Sequence, residues 1–77
     1  MSKEKIQAAV TTSMKNYFDA LGEQKPSDLY SMVIHIAEES LLGSVMQYAK
    51  SNQSLAAKML GINRNTLRKK LLEHGLL

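Results

Sequence analysis

The apolar residues in the first third of the chain recur at the spacing of a helix. From Ile6 onward they fall every three or four positions, at Ile6, Val10, Met14, Tyr17, Phe18 and Leu21. This spacing places them on one face of an α-helix. Gly22 follows the last of them and is predicted to end the helix. Residues 1–5 are polar and are predicted to form a disordered tail.

A second apolar stripe predicts a longer helix from about Asp28 to Lys50, with Ser27 as its N-cap. Its main stripe consists of Leu29, Val33, Ile36, Ala37, Leu41, Val45, Tyr48 and Ala49. Four further apolar residues widen that stripe: Met32, Ile34, Leu42 and Met46. A helix that is apolar over so much of its circumference must be buried on more than one side. The pattern favours a dimer in which residues 6–50 of two copies form a helical bundle; the alternative is a crowded monomeric core. Gly43 either permits close helix crossing at the dimer axis or is merely tolerated.

The last segment, residues 51–77, has the pattern of a helix-turn-helix. A short apolar run (Leu55, Ala56, Met59, Leu60) is followed by a second one whose inward residues are Leu67 and Leu71. Gly61 lies between the runs, where a positive φ is needed, and Asn63 is suited to cap the next helix. Ile62 is expected to fill the corner, and Ala57 to permit a close approach of the two helices. Gly75 is expected to end the final helix.

The charge distribution suggests what this motif binds. The whole chain has a net charge of only +3, but residues 58–70 contain five basic residues and no acid. A basic patch on a nearly neutral body is typical of a nucleic-acid binder. In the second helix of the motif, Asn63 and Arg64 are predicted to reach base edges. Thr66, Arg68 and Lys69 are predicted to bind phosphates, as is the N-terminus of the preceding helix. The full set of predicted DNA-binding residues is Asn52, Gln53, Ser54, Asn63, Arg64, Asn65, Thr66, Arg68, Lys69 and Lys70.

Other classes of function have less support in the sequence. There is no cysteine, and two histidines far apart in the chain do not suggest a zinc site. His35 and Glu39 lie one helical turn apart, which is more typical of a surface ion pair than of acid–base catalysis. We therefore predict no enzyme activity, cofactor, metal or small-molecule substrate. No membrane span or signal peptide is visible, so a cytoplasmic location is expected. The alternatives for the basic helix are a solvated amphipathic surface, a membrane-surface helix, or a protein–protein module that meets an acidic partner.

Several segments resemble the Fis (factor for inversion stimulation) family of bacterial nucleoid proteins. They are KNYF at 15–18, DLY at 28–30, VMQY at 45–48, NQ at 52–53 and GINRNTLRKKL at 61–71. The helix-turn-helix also resembles the C-terminal domain of NtrC-type activators. The resemblance implies an all-α chain of four helices, with the first two intertwined in a homodimer. It further implies a nucleoid-associated protein that bends DNA and acts in transcription regulation and nucleoid organisation, with RNA polymerase as a further candidate partner. Sequence preference would then come largely from DNA deformability. The expected dimer core is Ile6, Val10, Met14, Tyr17, Phe18, Leu21, Leu29, Val33, Ile36, Leu41 and Val45.

The chain departs from the family pattern in three places. Few residues precede Ile6, so the β-hairpin arm that touches the invertase is not expected, nor is stimulation of DNA inversion. Ser40 replaces the usual proline of the long helix, which is therefore expected to be straighter. Leu55, Leu72 and Glu73 stand where basic residues are common. We therefore expect weaker bending of flanking DNA and a shallower salt dependence of binding.

Overall fold

A computed structural model describes residues 2–77, and this part of the chain contains four α-helices and no strand. The helices are α1 (Lys3–Leu21), α2 (Leu29–Tyr48), α3 (Gln53–Leu60) and α4 (Arg64–Glu73). The predicted all-α fold class is confirmed. Helix α2 runs without interruption through Ser40, where the family pattern has proline.

The first helix begins earlier than the sequence pattern predicted. Ser2 is the N-cap of α1: its hydroxyl oxygen accepts a hydrogen bond from the Lys5 backbone N–H at 3.4 Å and donates one to the Glu4 carboxylate at 2.9 Å. The predicted disordered tail is therefore corrected for Lys3–Lys5, while Met1 lies outside the described residues. Gly22 ends the helix with a φ of 64°, as expected.

The start of α2 also differs from the prediction, because the N-cap is Asp28 and not Ser27. Asp28 has a φ of 55° and its side chain makes no capping hydrogen bond. At the other end, Lys50 and Ser51 both have positive φ, at 52° and 65°. This conformation is costly for residues other than glycine, at about 1–2 kcal/mol each. Hydrogen bonds from Ser51 N–H to the Met46 carbonyl (2.9 Å) and from Asn52 N–H to the Ala49 carbonyl (3.0 Å) hold the turn between α2 and α3.

The buried core lies where the last turns of α2 meet α3 and α4. It consists of Leu42, Ala49, Ala56, Ala57, Leu67 and Leu71. Three of the six are alanines, and they permit close approach of short helices, as predicted for Ala57. Leu67 and Leu71 are fully buried, as predicted. Leu55 and Met59 are more than two-fifths exposed, because α3 packs through the face that carries Ala56 and Ala57.

The first half of the molecule has no comparable core. No residue of α1 is buried, and Leu42 is the one buried residue of α2 itself. An open groove of about 500 Å³ lies between the two helices, with mainly apolar walls from residues such as Val10, Met14 and Val33. The radius of gyration is 15.0 Å, whereas a compact chain of this length would have about 11.5 Å. The apolar stripes of α1 and α2 therefore do not form the crowded monomeric core that was the alternative to a dimer.

Two leucines of α4, Leu67 and Leu72, should contribute very differently to stability. Leu67 is fully buried, whereas Leu72 is 57% exposed. Leu67→Ala should lower the free energy of unfolding by about 2–5 kcal/mol, since it removes buried methyl groups and leaves a cavity. Leu72→Ala is the matched control and should change it by no more than about 0.5 kcal/mol. Urea unfolding followed by circular dichroism measures both, and equal reductions would contradict the packing described here.

Candidate nucleic-acid interface

The turn between α3 and α4 is formed by backbone geometry that the sequence specifies. Gly61 has a φ of 72°, and its N–H donates to the Lys58 carbonyl at 3.2 Å. The Ile62 N–H donates to the Ala57 carbonyl at 3.1 Å. This pair of bonds is a Schellman motif, in which a left-handed residue ends the helix and turns the chain away. Ile62 packs against the core beside the turn, as predicted for the corner position.

Two asparagines cap the helices of this motif. The Asn63 side-chain oxygen accepts a hydrogen bond from the Asn65 N–H at 2.7 Å, and the Asn52 oxygen accepts one from the Leu55 N–H at 3.1 Å. The predicted cap at Asn63 is confirmed. In both residues the oxygen is engaged and the side-chain NH₂ remains available as a donor. A bidentate contact to adenine, which needs both groups, is therefore not the arrangement that this cap favours.

The basic side chains of α4 lie on the exposed part of the helix, outside the contact made by Leu67 and Leu71. Arg64, Arg68 and Lys69 are exposed, and none forms an ion pair with any of residues 2–77. Most of the other predicted DNA-binding residues are exposed too; these are Asn52, Ser54, Asn63, Asn65 and Thr66. Gln53 is half-buried. The structure thus brings one unneutralised cationic helix face and the capped N-terminus of α3 to the surface of the motif.

Lys70 differs from the other basic residues of α4. Its ammonium lies 2.8 Å from a carboxylate oxygen of Glu38 on α2, and both side chains are partly buried. The other oxygen of Glu38 is 2.8 Å from His74 Nε2. This cluster has no signature in the sequence, since 32 and 36 residues separate its members and no local pattern joins them. Its effect is to tie the end of α4 to the middle of α2.

The electrostatics of this cluster follow from its hydrogen bonds. The bonds from Lys70 and then from His74 hold the pKa of Glu38 below its ordinary value of 4.5. In turn, the bond to Glu38 raises the pKa of Lys70 above its ordinary value of 10.5. Next to this cluster, the expected His35–Glu39 pair is present at 3.8 Å. His74 joins them, with its ring centre 4.4 Å from that of His35. The two histidines are therefore neighbours in the folded chain, although their distance in the sequence argued against a metal site.

These features define a helix-turn-helix protein, with a Schellman turn, a capped basic second helix and a small-residue contact between the helices. The comparisons specify the family. Residues 35–74 match the family model described as "Bacterial regulatory protein, Fis family". The chain belongs to the Fis family of bacterial regulatory proteins.

Curated relatives match over nearly the whole chain. A "Putative Fis-like DNA-binding protein" of Ralstonia nicotianae is 51% identical over 77 residues, which is all of both chains. A "DNA-binding protein Fis" of Yersinia enterocolitica is 46% identical over 76 residues, covering 99% of this chain and 78% of that protein. The protein of the same name from Proteus mirabilis is 45% identical over the same extent. Among the described residues, no helix is long and apolar enough to cross a membrane.

The lowered pKa of Glu38 predicts a pH-dependent stability. A carboxylate whose pKa is lower in the folded state contributes stability above its unfolded pKa and loses it as the pH falls through the folded value. Lys70, with a raised pKa, contributes below about pH 10.5 and loses its contribution as the pH rises through its folded value. Glu38→Gln should therefore lower the Tm at pH 7, and the difference from the unmodified chain should shrink as the pH falls below about 4.5 toward the folded pKa of Glu38.

Thermal unfolding between pH 3 and pH 9 in the presence of a chelator measures this difference. Glu23→Gln is the control, since Glu23 is an exposed acid in the α1–α2 connection with no ion pair among the described residues. A Glu38→Gln effect that stays constant down to pH 3 would show that the ion pairs are not its source.

Proposed function

We propose that the protein is a homodimeric DNA-binding and DNA-bending regulator that acts in transcription and nucleoid organisation. The observation that carries the proposal is the exposed face of α4, where Arg64, Arg68 and Lys69 have no anionic partner among residues 2–77. A duplex supplies the phosphates and base edges that such a face binds. The names of the relatives, which are DNA-binding proteins, support the same conclusion.

The residues of the motif divide between reading bases and holding phosphates. The first turn of α4 enters the major groove, so Arg64 is proposed to pair with guanine. Asn63 contributes its NH₂ group, because its oxygen caps the helix. Thr66, Arg68 and Lys69 bind phosphates on the groove walls. Asn65, in the same exposed turn, adds a polar contact there.

The N-terminus of α3 supplies the remaining proposed DNA contacts. It presents Asn52, Gln53 and Ser54 with its free N–H groups, which suit a backbone phosphate. Lys70 is left out of the proposed DNA-binding residues, because its ammonium is bound to Glu38. Bringing it to DNA would break that ion pair.

The partner that the first two helices require is proposed to be a second copy of the chain. The accessible surface of the chain is 6250 Å², about 1,500 Å² more than a compact protein of this mass exposes. Covering that excess in two chains would bury about 3,000 Å², which is within the range of obligate homodimers. The excess includes large apolar side chains that are about half exposed, namely Ile6, Val10, Phe18, Ile36 and Leu41.

The other predicted members of the dimer core are half-buried on the same two helices: Met14, Tyr17, Leu21, Leu29, Val33 and Val45. A two-fold dimer through these residues presents two copies of α4 on one duplex at a fixed separation. Bending then allows both helices to enter the major groove, and the cost of bending depends on the sequence. From binding to the chromosome we infer a nucleoid-associated protein in the cytoplasm. RNA polymerase is the candidate partner at promoters, and no catalytic role is assigned.

Because Arg64 is proposed to read a base and Lys69 to bind a phosphate, their substitution should affect DNA binding differently. Arg64→Ala should weaken specific binding by about 1–3 kcal/mol and relax the preference at one base position. Lys69→Ala should weaken binding to all sequences alike, and should reduce the slope of log K against log salt by about 0.9 for each phosphate that it no longer neutralises. Fluorescence anisotropy with specific and scrambled duplexes at several salt concentrations measures both effects. Lys25→Ala, in the α1–α2 connection, is the charge-matched control. Equal affinity of the unmodified chain and Arg64→Ala for every duplex would overturn the proposed reading of bases.

The proposed dimer interface predicts a sharp effect of charge on the groove between α1 and α2. Val10 is 45% exposed in the single chain, so a lone chain would tolerate Val10→Glu. In the dimer the carboxylate would be buried without a partner, which opposes association. Size-exclusion chromatography with light scattering should show Val10→Glu as a monomer and the control Gln7→Glu, at an exposed position of α1, as a dimer. A dimeric Val10→Glu variant would place the interface elsewhere.

A further inference from the structure

Three potential metal ligands from distant parts of the chain converge beside the contact between α2 and α4. They are His35 and Glu39, one turn apart on α2, and His74, the C-cap of α4. One ligand atom from each lies within 4.8 Å of the others. From this convergence we propose that His35, Glu39 and His74 form a binding site for a divalent transition-metal ion such as Zn²⁺.

The hydrogen bonding of His74 is the observation that points to an ion. Its side chain is only 2% exposed, and its Nε2 lies 2.8 Å from a carboxylate oxygen of Glu38. Because the carboxylate accepts, Nε2 carries a proton, and in the neutral ring Nδ1 then has the free lone pair. Nδ1 is buried and has no hydrogen-bond partner among residues 2–77. A buried nitrogen of this kind is costly unless something satisfies it.

The atom that faces Nδ1 is itself an acceptor. Glu39 Oε2 lies 4.0 Å from His74 Nδ1 and 3.8 Å from His35 Nε2. A separation of 4.0 Å is too long for a hydrogen bond. Zinc–nitrogen and zinc–carboxylate bonds are each about 2.0–2.2 Å long, so an ion spans this gap. Tetrahedral binding would bring the ligand atoms to about 3.3–3.5 Å from one another. The exposed side chains of His35 and Glu39 can provide this small adjustment by rotating.

The surroundings of the three ligands match those of metal sites in other proteins. Two histidines and a carboxylate suit zinc, nickel or copper better than magnesium or calcium. A ligating histidine usually donates its second ring N–H to a carboxylate, which fixes the ring and its tautomer. Glu38 has that position toward His74, and Lys70 holds Glu38 in turn. Three protein ligands leave the fourth position for water.

The test titrates Zn²⁺ into chelator-treated, dialysed full-length protein by calorimetry. The expected result is one ion per chain and a Tm that rises with Zn²⁺ concentration, since the ion binds only the folded state. His35→Ala is the main variant, because its side chain is 59% exposed and its removal leaves no cavity. It should weaken Zn²⁺ binding by at least about tenfold, as should Glu38→Gln through the orientation of His74. Glu23→Gln, far from the cluster in sequence and exposed, should bind like the unmodified chain.

A second readout separates the metal site from a purely structural cluster. Long-range ¹H–¹⁵N spectra should show His74 with its proton on Nε2 and a Zn²⁺-dependent shift of Nδ1. Three results would overturn the proposal. The first is an absence of stoichiometric Zn²⁺ binding, with both ring nitrogens of His74 protonated. The second is binding that leaves the Nδ1 signal unchanged, and the third is equal affinity for His35→Ala and the unmodified chain.

Discussion

The uncovered apolar surface of α1 and α2 determines how the protein must assemble. Helix α2 is apolar over more of its circumference than α1 can cover, and one chain leaves a groove of about 500 Å³ between the two helices. Single exposed apolar side chains are normal on protein surfaces, but a contiguous face of this kind indicates an interface. The dimer proposed here follows from this excess, and so does the use of the basic helix in pairs.

The position of α4 depends on a second, smaller set of contacts. Its inner face packs through Leu67 and Leu71 onto Leu42 and the alanines of the core. The bonds from Lys70 and His74 to Glu38 add directional contacts at its C-terminal end. The proposed ion site would strengthen the same junction between the dimerising part and the helix-turn-helix.

Much of the motif was predictable because its determinants are local. A glycine with positive φ, an asparagine cap and leucines one turn apart each act within a few residues, and Gly61, Asn63 and Leu67 have the predicted roles. Which apolar residues of α3 are buried depends instead on the neighbouring helices. Leu55 and Met59 remain exposed because α3 packs into the core through Ala56 and Ala57.

Elsewhere the sequence left choices that only the assembled chain decides. Ser27 and Asp28 are both of residue types that favour the N-cap, and α2 begins after Asp28 although its side chain makes no capping hydrogen bond. Ser2 begins α1 through a single weak bond that an apolar-stripe analysis does not detect. The association of Glu38 with Lys70 and His74 depends on how α4 crosses α2, which no local rule specifies. The proposed metal ligands also come together only in the folded chain. The two histidines are far apart in the sequence, and their positions there did not predict a shared site.

Sedimentation equilibrium of the unmodified protein over a wide concentration range tests the central claim most directly. If the apolar faces of α1 and α2 pair two copies, the mass should be twice the 8.6 kDa of one chain and should remain so on dilution through the micromolar range. A stable, folded species of 8.6 kDa under the same conditions would contradict this explanation of the first two helices.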